Sequence, residues 1–381
     1  MNSISQIQFM FTTTKTKLTP SDIKYISNYL SKHNTDNQDI DNTIATISRH
    51  GLIPLVYHTL RDLSAEIDIP PTLLSKLQTR YKLIAQQNML MSAELIKIVK
   101  LLAKHDIKAI PFKGPSLAQL AYGDITLRVF GDLDILVEPN QIYDAGVILT
   151  KHNYICDVDI SFLHNTKLLD ISSDLGFRHQ TNNTYVELHW KLFRKKLSID
   201  FVDLNILTNY TTLDINKHQL QTLEINTLLI YLCIHGSKHM WERVGWVVDI
   251  DKLITQYDIN WDLIKNVNNK TPVYLGLYMS YKLYDTPIPK EILSHIQHHN
   301  KIKSLYKQTI HLWSNHIDNK MKFKFDYHAQ LMDSKFEYYK YYFKTLFGIT
   351  QDDILYKNLS EKYHILYIIL RPIRLISKYL K

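Results

Sequence analysis

Cysteine is nearly absent: the chain has two, Cys156 and Cys233, far apart and in no C-x-x-C pair. This argues against a disulfide framework or a cysteine-built zinc site and fits two reduced thiols in a cytoplasmic protein. Glycine and proline are scarce, 10 and 11 in 381 residues, which favours a helix-rich chain with few long loops. No apolar stretch reaches the ~20 residues that a membrane-spanning helix needs. The longest candidate, Tyr363 to Ile376, is broken by Arg371, Pro372 and Arg374. The N-terminal run MNSISQIQFMFTTTKTK has no basic region followed by a sustained apolar one, so no secretory signal is expected. Internal repeats and low-complexity linkers are also missing.

What remains is the balance of a soluble globular protein, 45% hydrophobic and 22% charged, long enough for two or three packed units. The net charge of +8 is unevenly placed. Residues 301–381 hold 15 Lys and Arg against 7 Asp and Glu, whereas the first 300 residues hold 30 of each. A basic tail suits an anionic partner, either nucleic acid or a membrane surface. A solvated helix face, or docking of the tail's apolar residues on its own protein, accounts for the pattern as well.

Along the chain, Pro20 and then Pro70-Pro71 read as helix starts, followed by apolar residues at helical spacing as far as Leu102. From Ile107 to Phe112 the texture is that of a short buried strand ending in a Lys113-Gly114 turn. A helix from Pro115 to Ala121 follows, then strands over Val129–Val137, Tyr154–Asp159 and Thr184–Trp190, with a helix over Asn140–His152. From Leu204 onward the pattern reads as helical again. The layout reads as a helical front, a compact α/β centre and a helical back. The expected division is 1–90 (N-terminal helical region), 91–215 (α/β core) and 216–381 (C-terminal helical domain with basic tail).

The chemistry concentrates in Gly131-Asp132-Leu133-Asp134. Residues i and i+2 of a strand share a face, so the two carboxylates project together amid Leu133, Ile135 and Val137. Such a pair repels itself unless a cation lies between, and Mg²⁺, hard and oxygen-seeking, is the natural guest of a site for phosphoryl or nucleotidyl displacement. Gly131 would let the chain bend closely at the strand mouth. The turn Lys113-Gly114-Pro115-Ser116 joins strand to helix, where free amides, the Ser116 hydroxyl and the Lys113 charge suit a phosphate. In Val186-Glu187-Leu188-His189-Trp190, Glu187 and His189 share one face. Glu187 is suited to be metal ligand, general base or both, and His189 to contact phosphate or orient Glu187. His235 and His239 lie four apart on one helix face, but Gly236 stands where a zinc peptidase motif has glutamate.

These segments, K-G-P-S-L-A-Q-L-A-Y-G-D-I-T-L-R-V-F-G-D-L-D-I-L-V, V-E-L-H-W and H-G-S-K-H-M-W-E-R-V-G-W-V-V-D-I, resemble the uncharacterised bacterial nucleotidyltransferases of the DNA polymerase-β superfamily, over residues 40–300. The resemblance implies an α+β fold, a core of mixed sheet with helices flanked by helical regions, together with a nucleoside triphosphate donor, with ATP expected, and two Mg²⁺ on Asp132, Asp134 and Glu187. It also implies that Gly114 and Ser116 flank the phosphates, and that His235, His239, Trp246 and Asp249 form a polar seam facing the site. The acceptor is left open: a small molecule, peptide, protein or RNA. Pro115 departs from the usual Gly-Gly or Gly-Ser turn and removes an amide donor, so phosphate grip should lean on Lys113 and Arg128. The alternative is a non-catalytic nucleic-acid-binding or assembly module on the same scaffold.

Overall fold

The computed structural model describes residues 3–33, 36–193, 209–268, 270–314, 320–356, 359 and 361–379. Its first part is helical: α1 (Ser3–Thr13), α2 (Pro20–His33), α3 (Asn37–Arg49), α4 (Ile53–Leu63) and the 33-residue α5 (Pro71–Ala103). The Pro70-Pro71 start opens one continuous helix, whose buried Leu73, Leu77, Met91, Leu95, Ile98 and Leu102 follow helical spacing. Three polar residues, Asn88, Ser92 and Glu94, are also buried in this helix.

The α/β part runs β1 (Ile110–Pro111), α6 (Gly114–Tyr122), β2 (Leu133–Leu136), α7 (Ile142–Lys151), β3 (Tyr154–Cys156), α8 (Thr166–Ile171), β4 (Asp174–His179) and β5 (Tyr185–His189). The five strands form one mixed sheet in the order β1-β2-β5-β4-β3. Only the β2–β5 pair is parallel; it sets Asp134 opposite Glu187 and Leu136 opposite His189. The paired segments are shorter than the alternation suggested. In the span 129–137 only Leu133–Leu136 pair, so Asp132 precedes the strand rather than lying on it.

The expectation of helix from Leu204 onward is corrected for the described residues. A hairpin, β6 (Tyr210–Ile215) and β7 (His218–Leu223), comes before any helix, and residues 204–208 lie outside the described residues. Its turn residues Asn216 and Lys217 both have positive φ, 51° and 65°, the backbone of a two-residue turn that matches strand twist. Leu213, Ile215, Leu220 and Leu223 are buried toward α6 and β1, while the outward Thr and Gln residues masked the period of two.

The chain then returns to helices: α9 (Ile225–Lys238), α10 (Gly245–Gln256), α11 (Trp261–Lys265), α12 (Thr271–Tyr284), α13 (Lys290–Gln297), α14 (Asn300–Ser314), α15 (Lys320–Gln330), α16 (Lys335–Phe347), α17 (Gln351–Tyr356) and α18 (Tyr367–Tyr379). Helix α9 packs on α10 and α12, α10 packs on α6, and α1 reaches across to α14. Gly236 is where α9 admits the buried Trp241 ring: a Cβ there would stand 2.5 Å from it. No helix among the described residues is long and apolar enough to cross a membrane.

The tail is partly spent on the protein itself. Asp353 accepts from Arg371 Nη1 at 3.0 Å and Arg374 Nε at 2.6 Å. Tyr367 and Leu370 pack with Ile354 and with Leu168 of α8. Of the apolar residues expected to dock there, Ile365, Leu366, Ile368 and Ile369 are instead exposed. Burial works against the Asp353 charge, but hydrogen bonds from Thr350 and the Arg374 guanidinium outweigh it and hold the carboxyl below its ordinary range. A depressed carboxyl stabilises the fold above its unfolded pKa, and that contribution disappears as pH falls through the folded value. Asp353→Asn should therefore cost roughly 1–3 kcal/mol at pH 7. Melting curves against pH should show the gap to wild type closing below about pH 4; a gap independent of pH would contradict the assignment.

Candidate active site

The parallel β2–β5 register brings Asp134, Glu187 and His189 together. One ligand atom from each lies within 4.8 Å of the others. His189 Nε2 is 3.1 Å from Asp134 Oδ1 and 3.5 Å from Glu187 Oε2. Lys113, at the N-cap of α6, reaches Asp134 Oδ1 at 2.7 Å. The Asp134 side chain is wholly buried, yet its Oδ2 has no hydrogen-bond partner among the described residues, whereas Glu187 keeps 32% of its side chain exposed. Two carboxylates and an imidazole, with one buried oxygen unsatisfied, fit a divalent cation.

Asp132 stands one residue before β2, outside this trio, and lines the same cavity as Glu187 and His189. The grouping expected from sequence was Asp132, Asp134 and Glu187. The one the backbone brings closest is Asp134, Glu187 and His189, because β2 begins only at Leu133.

Charge in the ligand-free site is internally balanced. Burial opposes an ionised Asp134, but Lys113 and His189 outweigh it and hold the carboxyl well below the usual range. Burial also opposes charge on Lys113, and Asp134 overrides it, raising the ammonium's pKa. His189 is disfavoured as a cation by burial, yet hydrogen bonds to Asp134 and Glu187 push it up to about 9. Asp132 moves the other way: burial and the Asp134 charge raise its carboxyl.

The turn before α6 is less open to phosphate than its sequence suggested. Gly114 has φ +53°, and a Cβ on it would come 3.0 Å from the Asp132 carbonyl, so glycine keeps the turn against the loop that carries Asp132. The Ser116 amide donates to the Lys113 carbonyl at 3.1 Å. The Ser116 hydroxyl is buried without a partner among the described residues and does not line the cavity. Gly131 does line the cavity, but a Cβ there would meet nothing within 4 Å, so close approach is not what calls for glycine.

Arg128 is held from behind. Its Nε donates to Asp249 Oδ1 and Oδ2 at 3.0 and 3.1 Å, and Tyr122 Oη donates to the same carboxylate at 2.8 Å. Asn88 Nδ2 ties down the Ile125 and Arg128 carbonyls at 2.7 and 2.8 Å. The terminal guanidinium nitrogens have no hydrogen-bond partner among the described residues, and the side chain borders the cavity. Asp249 therefore stands behind Arg128 instead of facing the site. Sequence reasoning missed Asn88, whose one signal was an amide amid an apolar helical stripe.

Between the sheet and the helical back lies a cavity of about 800 Å³. Lys113, Gly114, Asp132, Glu187 and His189 line its floor. Arg178 and Tyr185 of β4 and β5 stand on one side, and Tyr231, His235, His239 and Trp246 of α9 and α10 on the other. Tyr231 was also missed, its ring reading as one more apolar position of α9.

The sequence model of a family described as uncharacterised nucleotidyltransferase matches residues 36–286. No curated protein sequence matches the chain. Among solved structures, an antigenic nucleotidyltransferase-like protein from Paracoccidioides brasiliensis is similar at a TM-score of 0.33 and 15% identity, over 58% of this chain and 91% of that one. The family match spans well over half of the chain and includes every residue of the cavity floor, and the protein belongs to this uncharacterised nucleotidyltransferase family.

Proposed function

We propose that the protein transfers a nucleoside monophosphate from a nucleoside triphosphate, ATP in the first instance, to an acceptor hydroxyl, with Mg²⁺ ions held by Asp132, Asp134 and Glu187. The observation that carries this reading is the buried Asp134 Oδ2, without a partner among the described residues, on the residue set opposite Glu187 by the β2–β5 register. Bound at these oxygens, divalent ions would neutralise charge on the transferred phosphoryl group and activate the attacking oxygen.

The chain's own groups divide the remaining work. His189 bridges Asp134 and Glu187 and fixes their orientation. Glu187, the more exposed of that carboxylate pair, is the one an acceptor hydroxyl can reach, which suits it to receive the proton. Arg128, anchored through Nε, offers its two terminal nitrogens to the triphosphate. Lys113 balances Asp134 when no ligand is present.

The test is a melting-temperature screen with each nucleoside triphosphate, with and without Mg²⁺. A ligand at 100 times its Kd stabilises the native state by about 2.7 kcal/mol, so a nucleotide-dependent rise that requires Mg²⁺ is expected. Intact-mass detection of nucleotide added to candidate acceptors follows. No shift with any triphosphate at millimolar Mg²⁺ would refute the reading.

A further inference from the structure

The cavity wall opposite the sheet has a composition that the transfer chemistry does not explain. Tyr231 and His235 on α9 and His239 at its C-cap recur every four residues and so form one stripe. Trp246, in the first turn of α10, closes it. The rings touch in series: Tyr231 to His235 with centroids 5.7 Å apart and planes at 24°, His235 to His239 at 4.7 Å, and Trp246 edge-on to His235 at 5.2 Å and to His239 at 5.8 Å. All four line the cavity.

The stripe starts at the carboxylates and runs away from them. Lys113 Nζ, bonded to Asp134, is 5.9 Å from the Tyr231 ring centre. The imidazole nitrogens of His235 and His239 and the indole N–H of Trp246 have no hydrogen-bond partner among the described residues, and they are not sealed from the cavity. Burial, helped by the nearby lysines, lowers the pKa of both histidines, His239 to about 3, so both are neutral at physiological pH.

An apolar ligand would leave these nitrogens unsatisfied. Lys113, Arg128, Lys238 and Arg243 border the cavity and can hold phosphate, to which neutral imidazoles would add little, even though Arg243 lies 5.9 Å from the Trp246 ring. A planar ring with donors and acceptors on its edge satisfies both the π faces and the nitrogens.

We infer that the α9–α10 wall is a nucleobase subsite, in which Trp246 packs against the base of the donor triphosphate and His235 and His239 hydrogen-bond its edge. The inference rests on the proposed transfer reaction and adds to it that the donor is selected by its base.

The test compares binding of ATP, GTP, CTP, UTP and inorganic tripolyphosphate, each with Mg²⁺, to the full chain and to its His239→Ala, Trp246→Ala and Trp246→Phe variants. One triphosphate should bind wild type on the order of tenfold or more tighter than tripolyphosphate, the worth of one base–aromatic contact. In His239→Ala and Trp246→Ala that advantage should shrink toward the tripolyphosphate level, while tripolyphosphate affinity itself holds. Trp246→Phe keeps an aromatic ring if the alanine variant fails to fold; it should retain part of the preference and lose nucleotide quenching of indole fluorescence. Two outcomes overturn the subsite alone: wild type binding tripolyphosphate as well as every nucleotide, or the variants weakening tripolyphosphate and nucleotides in parallel. Wild type binding neither nucleotide nor tripolyphosphate would instead overturn the transfer reaction, and the subsite with it.

Discussion

Asp132→Asn is expected to lower nucleotide transfer by at least ~100-fold, the scale of losing charge stabilisation at a transferring phosphoryl group, while the melting temperature stays the same or rises. The asymmetry follows from where the carboxylate sits. Asp132 is half-buried beside Asp134 and Glu187, and burial and its neighbours' charge make its ionised form unfavourable. Removing that charge relieves repulsion in the ligand-free protein and removes an oxygen donor from the loaded one. Asp134→Asn should behave differently. It breaks buried contacts to Lys113 and His189, so activity and about 3–5 kcal/mol of stability should fall together. Turnover and thermal unfolding measured on both variants decide the matter. Near-wild-type transfer by Asp132→Asn would remove Asp132 from the machinery, and equal destabilisation by the two would show that its role is packing.

The second large effect is expected at Asp249. Removing it strands Arg128, which is nearly enclosed, without its counter-charge and frees the Tyr122 hydroxyl. Breaking one side of a buried pair costs about 3–5 kcal/mol, whereas replacing both partners with apolar groups of similar volume is often near neutral. Asp249→Ala should accordingly unfold at much lower denaturant, and Asp249→Leu combined with Arg128→Met should recover most of the loss. The double variant should not recover triphosphate affinity, since the cationic fork at the cavity is gone. Chemical denaturation of the two variants, with nucleotide titrations of each that folds, separates stability from binding. An Asp249→Ala protein within 1 kcal/mol of wild type, or a double variant no better than the single, would contradict the account.

The local pieces of this site were legible because strand alternation is a short-range signal. Glu187 and His189 on one face, and the Lys113-Gly114 turn opening a helix, follow from two or three residues of context. The pairing of β2 with β5 was expected from the motifs, but its register was not available from them. Another strand, β4, is threaded to β5's other side, and nothing in the run 133–136 encodes the hydrogen bonds that begin at Leu133 rather than at Val129. Lys113 read as a phosphate ligand because its partner Asp134 is a long-range neighbour. Asp249 read as facing the site because only the packing of α10 on α6 shows Arg128 standing between them. The hairpin at 210–223 escaped because its turn, Asn216-Lys217, contains no glycine and its outward positions are Thr, Asp and Gln.

The Arg128–Asp249 pair also bears on the order in which the protein is made. The two residues are 121 positions apart, about ten seconds of translation at typical elongation rates of ~5–20 residues per second. Once β5 has been made the emerging chain contains the whole five-stranded sheet, yet Arg128 still has no Asp249 carboxylate to meet, because α10 has not been made. The guanidinium therefore waits without its counter-charge until α10 is made. Asn88 can hold the Ile125 and Arg128 carbonyls as soon as those residues are made, so it is the charge of Arg128, rather than its backbone, that stays unsettled until α10 arrives.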